Sequence, residues 1–187
     1  FKGIEKALRK KGSKYIFAYS GELDHHIHEK GTTCKNARAF VPRLEKSFRS
    51  FFKKLDGKDC TVILTADHGL IDVKNIDLSS DRKFGECLTV SPSGDSRVVY
   101  CYVHPSKEKE FEKHVKTKYR KYVELHKSKD LLERGYFGLF KPNPKMLDRI
   151  GDYTMIFKGN HANGHYLGAH SALSSEELYV PLIVLKA

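Results

Sequence analysis

The sequence lacks several features that would assign it to a protein class directly. No apolar run approaches the roughly 20 residues that a membrane-spanning helix needs, and no internal repeat or low-complexity tract occurs. None of the four cysteines belongs to a Cys-x-x-Cys pair, which excludes a zinc knuckle and a thioredoxin-type redox motif. Cys60, Cys87 and Cys101 stand in apolar, strand-like surroundings that favour buried thiols. We therefore expect a reducing compartment, the cytoplasm.

An initiating methionine and a signal-peptide pattern are also missing at the start of the chain. The length of 187 residues corresponds to about one domain, and a hydrophobic fraction of 40% is sufficient for a buried core. Because the chain begins with Phe1, we expect it to be a fragment or a processed product of a longer protein.

Acidic residues are too few to balance the basic ones, and the net charge is +11. A basic field favours anionic partners such as phosphate esters, nucleotides, nucleic acid or a membrane surface. Much of the excess lies between Lys107 and Lys129, where a solvated helix face accounts for it. A nucleic-acid arm would interleave glycines and stacking aromatics, so nucleic acid is an alternative that is not favoured. A phosphate ester or nucleotide is the expected partner.

The first third of the chain predicts a βαβ unit. Residues 14–20 and 61–66 are apolar strands, and the second contains β-branched residues without charge, as in a fully buried parallel strand. Between them, apolar residues recur at three- and four-residue steps from Ala37 to Leu55, which predicts a helix ending at Gly57. Pro42 should kink this helix or restart its first turn. The polar stretch before it, residues 21–31, is expected to be irregular.

The pattern changes after Asp72. The following elements are expected to be two strands in 86–103, helices at 106–127 and 129–135, and a strand at 151–159. Ser174 and Glu177 then have capping-box spacing before a last buried strand at 179–185. We predict an inserted α+β cap subdomain at 84–159. Residues 1–83 and 160–187 would form a metal-binding α/β core.

Histidines and carboxylates gather in three loops of the predicted core. They are Asp24, His25, His26 and His28 after the first strand, Asp67 and His68 after the second, and His161, His165 and His170 before the last. Loops that follow the strands of one βαβ unit emerge at the same edge of the sheet, so the first two sets should converge. Mixed imidazole and carboxylate ligands suit Zn²⁺, Mn²⁺ or iron better than Ca²⁺.

Three segments resemble motifs of the alkaline phosphatase superfamily, in particular its type I phosphodiesterase/nucleotide pyrophosphatase branch. LDHHIHEKG resembles the element Asp-x-x-x-His-x-x-Gly, and ILTADHGL resembles a strand followed by Asp-His-Gly. GAHSALSSEELYVPLIVL resembles the segment in which a histidine, two glycines and an acidic turn precede the last strand. Ser171 and Ala172 replace those two glycines.

The resemblance implies a two-metal hydrolase with a mostly parallel, alkaline-phosphatase-like sheet flanked by helices. One metal would be held by Asp24, His28 and His170, and the other by Asp67 and His68 with further ligands from elsewhere. Zn²⁺ is favoured for both divalent ions, with Mn²⁺ as the alternative. In this family the phosphate of the substrate bridges the two metals, so the resemblance implies an anionic phosphate ester bound between them.

The nucleophile of this superfamily, a Thr or Ser on an earlier strand, has no counterpart in the chain. The resemblance therefore implies that this chain is the C-terminal half of a larger protein. Its partner would be the N-terminal half of the same protein, and without that half the chain would be inactive. His25 and His26 are expected to face solvent or to neighbour the ligands. His161 and His165 are expected to be structural or surface residues, with contact to the substrate as the alternative. Two alternatives remain open. One is another superfamily member: a phosphomutase, phosphonate hydrolase or sulfatase. The other is a non-catalytic basic binding module.

Overall fold

The computed structural model describes residues 1–187 as eight α-helices, ten short strands and one 3-10 turn. The helices are α1 (Lys2–Leu8), α2 (Glu22–Lys30), α3 (Lys35–Lys53), α4 (Arg82–Gly85), α5 (Glu108–Lys118), α6 (Ser128–Glu133), α7 (Met146–Ile150) and α8 (Ser175–Leu178). The strands are β1 (Thr61–Thr65), β2 (Ile71–Asp72), β3 (Lys74–Ile76), β4 (Ser93–Gly94), β5 (Val98–Cys101), β6 (Val123–Lys127), β7 (Tyr153–Phe157), β8 (His161–Asn163), β9 (Gly168–Ala169) and β10 (Leu182–Lys186). The 3-10 turn is Pro105–Lys107, and no helix is both long and apolar enough to cross a membrane.

The strands form four small sheets rather than one large one. β1 pairs with β10 and β2 with β9, both antiparallel, whereas β3 pairs with β8 in parallel. The remaining strands form an antiparallel sheet in the order β4-β5-β7-β6. The α/β class is confirmed, but the mostly parallel sheet is not, because β3–β8 is the one parallel pair.

The prediction of a strand at 14–20 is wrong, because this segment pairs with no other strand. The segment is not hydrogen-bonded to any sheet, and Tyr15, Phe17 and Tyr19 are 92%, 77% and 67% exposed. A strand exists only where its backbone groups find a neighbouring strand, and this chain places none beside the segment.

The strand β1 confirms the second apolar run, but two of its predicted properties are wrong. Its partner β10 runs antiparallel, with Thr61 opposite Lys186, and Ile63 is 64% exposed. Val62 and Leu64 on the other face are half-buried. Both faces of the strand are apolar, but other residues of this chain pack against only one of them.

Local capping explains where the helices near the site begin and end. The stretch 21–31, predicted to be irregular, contains helix α2, and Gly31 ends it with a φ of 80°, a positive value that favours glycine. The long helix is confirmed as α3, with Pro42 inside it. The thiol of Cys34 caps α3 by accepting a hydrogen bond from the amide of Ala37.

The predicted helix at 106–127 is about twice as long as the observed helix, which has 11 residues. Helix α5 ends at Lys118, and the strand β6 follows. At the start of this strand Val123 is buried, Glu124 is exposed and Leu125 packs against the core, which is the two-residue alternation of a strand and not the stripe of a helix. The short helix and the strand expected after it are confirmed as α6 and β7.

The main hydrophobic core is formed by residues between Leu78 and Phe157, that is, by the predicted cap and the few residues that precede it. Cys87 and Cys101 are fully buried in it, whereas Cys60 is only half-buried. Burial raises the pKa of Cys101 to about 12, which keeps the thiol neutral. The four-stranded sheet pairs only within itself, and the division into core and cap stays a prediction.

Candidate metal centre

Three distant segments of the chain meet at the short strand β9. The pairing of β2 with β9 places Ile71 opposite Ala169, three residues after His68 on one side and one before His170 on the other. Helix α2 joins them because the amide of Leu167 donates to the carbonyl oxygen of His28 at 2.9 Å. All three motif segments are therefore brought to one place.

Gly168 makes this close approach sterically feasible. A Cβ at this position would lie 2.4 Å from Cγ2 of Ile27 and 2.7 Å from its carbonyl oxygen. Real Cβ atoms do not approach other atoms so closely. The absence of a side chain therefore lets α2 lie against β9.

The ligand atoms of Asp24, His28 and His170 lie within 4.8 Å of one another. Asp24 and His28 are four residues apart on α2 and therefore share one helix face. Oδ1 of Asp24 is 3.1 Å from Nε2 of His28 and 3.7 Å from Nε2 of His170. The structure thus brings together the three residues predicted to hold one metal.

Two details make this cluster suitable for a cation. Nδ1 of His28 lies 2.8 Å from the carbonyl oxygen of Gly168, which leaves the lone pair of Nε2 directed toward Asp24. Oδ1 of Asp24 is buried and accepts no hydrogen bond. A buried carboxylate oxygen without a partner is costly, and a cation between the three side chains would satisfy it.

Asp67 and His68 lie beside this cluster but do not belong to it. The ring of His68 stacks on that of His170, with centroids 3.6 Å apart and planes inclined by 18°. Nδ1 of His68 is 3.0 Å from the carbonyl oxygen of Gly69, and its Nε2 is 3.8 Å from Oδ1 of the exposed Asp67. The imidazole of His68 thus lies next to the three-residue cluster, with the carboxylate of Asp67 beside it.

Electrostatics keep His170 in the form that binds metals. Burial, and then the charge of His68, lower the pKa of His170, while Asp95 and Asp24 act in the opposite direction. The lowered pKa favours neutral imidazole, which is the state that binds metals. Asp95 was not predicted; its Oδ2 lies 3.7 Å from Nδ1 of His170. The sequence places it only in a turn and gives no sign that this turn reaches the histidine.

The model of one protein family, type I phosphodiesterase/nucleotide pyrophosphatase, matches residues 2–161. The chain belongs to this family. The resemblance to the alkaline phosphatase superfamily, drawn from the motifs around Asp24 and Asp67, is thereby confirmed. No curated protein matches the sequence of this phosphodiesterase-family chain.

Solved structures show the same fold. Murine ectonucleotide pyrophosphatase/phosphodiesterase 5, an inactive variant in complex with AMP, has a TM-score of 0.67 and 16% identity, over 85% of this chain and 44% of that chain. The human protein has a TM-score of 0.66 and 14% identity, over 86% of this chain and 44% of that chain. A phosphonoacetate hydrolase from Sinorhizobium meliloti, in complex with phosphonoformate, has a TM-score of 0.55 and 19% identity, over 86% of this chain and 43% of that chain. The chain spans less than half the length of each.

The four other histidines of the predicted loops lie outside the cluster. His25 is exposed and 3.6 Å from Glu29, while His26 is 4.0 Å from Glu22. His161 packs against the ring of Tyr122, and His165 is exposed. These positions agree with the expectation of surface residues or neighbours of the ligands for His25 and His26, and of structural or surface residues for His161 and His165.

Ser171 occupies the position where this chain departs from the two glycines of the resembling motif. Its φ is 89°, and it is the one non-glycine residue with a positive φ. A side chain in this region is strained, and such strain is concentrated near functional sites. The replacement therefore stores strain directly beside His170.

Ser171→Gly should stabilise the protein. Relief of the strain exceeds the extra backbone entropy that glycine loses, so we expect about 1 kcal/mol more unfolding free energy. Thermal unfolding followed by circular dichroism should shift upward by about 2–4 °C. The control is Ser175→Gly, in a helix without positive φ, which should lower the midpoint. A lower midpoint for Ser171→Gly as well would show that the strain is negligible.

Proposed function

We propose that this chain is part of a metal-dependent phosphoric ester hydrolase, a phosphodiesterase or nucleotide pyrophosphatase that uses two divalent ions. The observation that carries the proposal is the buried, unpartnered oxygen of Asp24 between His28 and His170. These three residues would hold one ion. Zn²⁺ is favoured because the donor set combines imidazole with carboxylate, and Mn²⁺ is the alternative.

Asp67 and His68 would contribute to the second ion, next to the first. Two ions side by side stabilise both the attacking and the leaving oxygen of a displacement at phosphorus. The role of this chain is to supply the ligands, fix the imidazole orientations and keep His170 neutral. A nucleotide or another phosphate ester fits such a site and the net charge of +11, and one related structure contains AMP.

A second, N-terminal half of the same protein would complete the site and cover exposed apolar surface. Tyr15, Phe17 and Tyr19 of the unpaired segment are exposed, as are Ile63 and Val184 on one face of the β1–β10 pair. Contiguous exposed apolar surface marks an interaction site, and these side chains are the candidates for it. The solved relatives, of which the chain spans less than half, leave room for such a half.

Phosphonate hydrolysis is a second candidate within the same superfamily. The phosphonoacetate hydrolase, with a TM-score of 0.55, supports it through the fold. A comparison of a nucleotide ester with phosphonoacetate as substrates would decide between the two. Faster release of phosphate from phosphonoacetate would favour this candidate.

We also propose a reducing compartment, with the cytoplasm as the first expectation. All four cysteines are free thiols, and no disulfide stabilises the chain. Fractionation of the source cells, with detection by an antibody, would test this location. Recovery from the medium or outer surface would contradict it.

Zinc binding by the ligand cluster can be tested on this chain directly. Isothermal titration with Zn²⁺ should reveal a tight site that Asp24→Asn weakens by roughly 100-fold or more, since a lost ligand should cost at least as much as a lost neighbour of a ligand. His25→Gln is the matched control, because His25 lies next to Asp24 on α2 but is 68% exposed. Equal affinities for the unaltered chain and Asp24→Asn would contradict the assignment.

A further inference from the structure

A buried ion pair joins the predicted cap to the C-terminal segment. The side chains of Arg97 and Glu177 are each 1% exposed. Nε of Arg97 donates to Oε1 of Glu177 at 2.7 Å, and Nη2 donates to Oε2 at 3.0 Å. The same guanidinium also donates to the carbonyl oxygens of Gly159 and His161. This planar fork therefore fixes the carboxylate in direction as well as in distance.

Glu177 is hydrogen-bonded in turn to both segments that carry stacked histidines. Its Oε1 accepts from the amide of Ala172 at 2.9 Å, two residues after His170. Its backbone oxygen accepts from the amide of Gly69 at 2.8 Å, directly after His68. Burial by itself would raise the pKa of Glu177, but the hydrogen bonds from Arg97 and Ala172 hold it below its usual value. The carboxylate thus stays charged and bonded to its partners.

The contact between Gly69 and helix α8 is unusually close. A Cβ on Gly69 would lie 1.8 Å from the carbonyl oxygen of Glu176, so only glycine fits there. On the opposite side, the pairing of Ile71 with Ala169 joins the same two segments. The stacked histidines are therefore held from two directions, by β2–β9 and by Glu177.

We propose that Arg97 and Glu177 are positioning residues, which set the separation of His68 and His170 and thereby the affinity of the site for metal. The proposal rests on the metal site proposed above. A buried ion pair adds little net stability compared with an apolar replacement, so stability alone does not account for it. A fork held by four hydrogen bonds provides fixed geometry instead. The predicted cap would then support the metal site as well as cover it.

Glu177→Gln and Arg97→Lys test this role in the 187-residue chain. Both should weaken Zn²⁺ binding by about tenfold, as is typical for residues that orient metal ligands. With Co²⁺ as a spectroscopic probe, the visible absorption of both variants should change in position or intensity. Hydrogen exchange should become faster at the amides of Gly69 and Ala172.

Asp81→Asn is the matched control, because it disrupts another buried charged network, one that has no contact with either histidine segment. It should lower thermal stability while zinc affinity and the cobalt spectrum stay unchanged. Unchanged zinc affinity in folded Glu177→Gln and Arg97→Lys would overturn the proposal, as would an equal loss of affinity in Asp81→Asn.

Two further outcomes separate this proposal from the proposed function. If the unaltered chain binds no zinc, the metal site is wrong, while amide exchange of Gly69 and Ala172 still decides the positioning role. If Glu177→Gln does not fold, Arg97→Lys, which retains the charge, decides through affinity and amide exchange. Slow exchange at both amides in Arg97→Lys would then reject the role.

Discussion

The 187-residue chain alone should hydrolyse phosphodiesters about a thousandfold more slowly, or worse, than a longer protein that includes the proposed N-terminal half. Of the ligands proposed for the second ion, this chain supplies Asp67 and His68, which lie on the side of the three-residue cluster where His68 stacks on His170. Two protein ligands do not complete a zinc site, which takes three or four. Groups that act as a unit lose most of their combined effect when one is missing.

Hydrolysis of bis-p-nitrophenyl phosphate with added Zn²⁺ or Mn²⁺ measures this difference. The control is the longer protein with Asp24→Asn, which should lose activity although the N-terminal half is present. A longer protein with His25→Gln should remain active, since that side chain is exposed. Comparable metal-dependent turnover by the 187-residue chain would mean that it contains its own nucleophile or metal-bound water.

The sequence predicted those elements whose residues pack within this chain. The stripe from Ala37 to Leu55 became α3, and the apolar run at 153–157 became the fully buried strand β7. The prediction failed for residues 14–20 because strand formation needs a neighbour that a local pattern cannot supply. It also failed for 123–127, where a strongly basic stretch hid the two-residue alternation that begins at Val123.

The site was predictable where a motif carried it. Asp24 and His28 share a helix face, and the third histidine came from the resemblance of the segment around His170, which the pairing of β9 brings close. Asp95 and Arg97 were missed because they lie in the predicted cap, and nothing local shows that their turn returns to the histidines. Contacts of this kind depend on how two parts of the chain pack.

Loss of the carboxylate at Asp81 should destabilise the protein strongly and leave the candidate metal centre untouched. Asp81 is buried and accepts hydrogen bonds from the hydroxyl of Tyr119 at 2.6 Å and the amide of Phe84 at 3.3 Å. Nε2 of His114 is also 2.6 Å away, and Nζ of Lys118 is at 2.9 Å. The network ties the start of α4 to α5 across the main core.

The pH dependence of this stabilisation follows from the state of the carboxyl group. Burial by itself would raise the pKa of Asp81, but the hydrogen bonds from Tyr119, His114 and Lys118 outweigh it and hold the pKa far below its usual range. A group whose pKa is lower in the folded state stabilises the protein above its unfolded pKa of about 3.9 and loses this effect as the pH falls. Stability should therefore decline below about pH 4.

Asp81→Asn should reduce the unfolding free energy by about 3 kcal/mol at pH 7, because it removes a buried charge from a network of donors. Urea unfolding should be followed by circular dichroism between pH 7 and pH 3. The difference in unfolding free energy between Asp81→Asn and the unaltered chain should become smaller as the pH falls. Asp56→Asn, at an exposed carboxylate, should have no such effect. Lys118→Met should cost less than about 1 kcal/mol, since that ammonium is 52% exposed. An equal difference in unfolding free energy at pH 7 and pH 3 would mean that Asp81 stabilises the core by its shape and not by its charge.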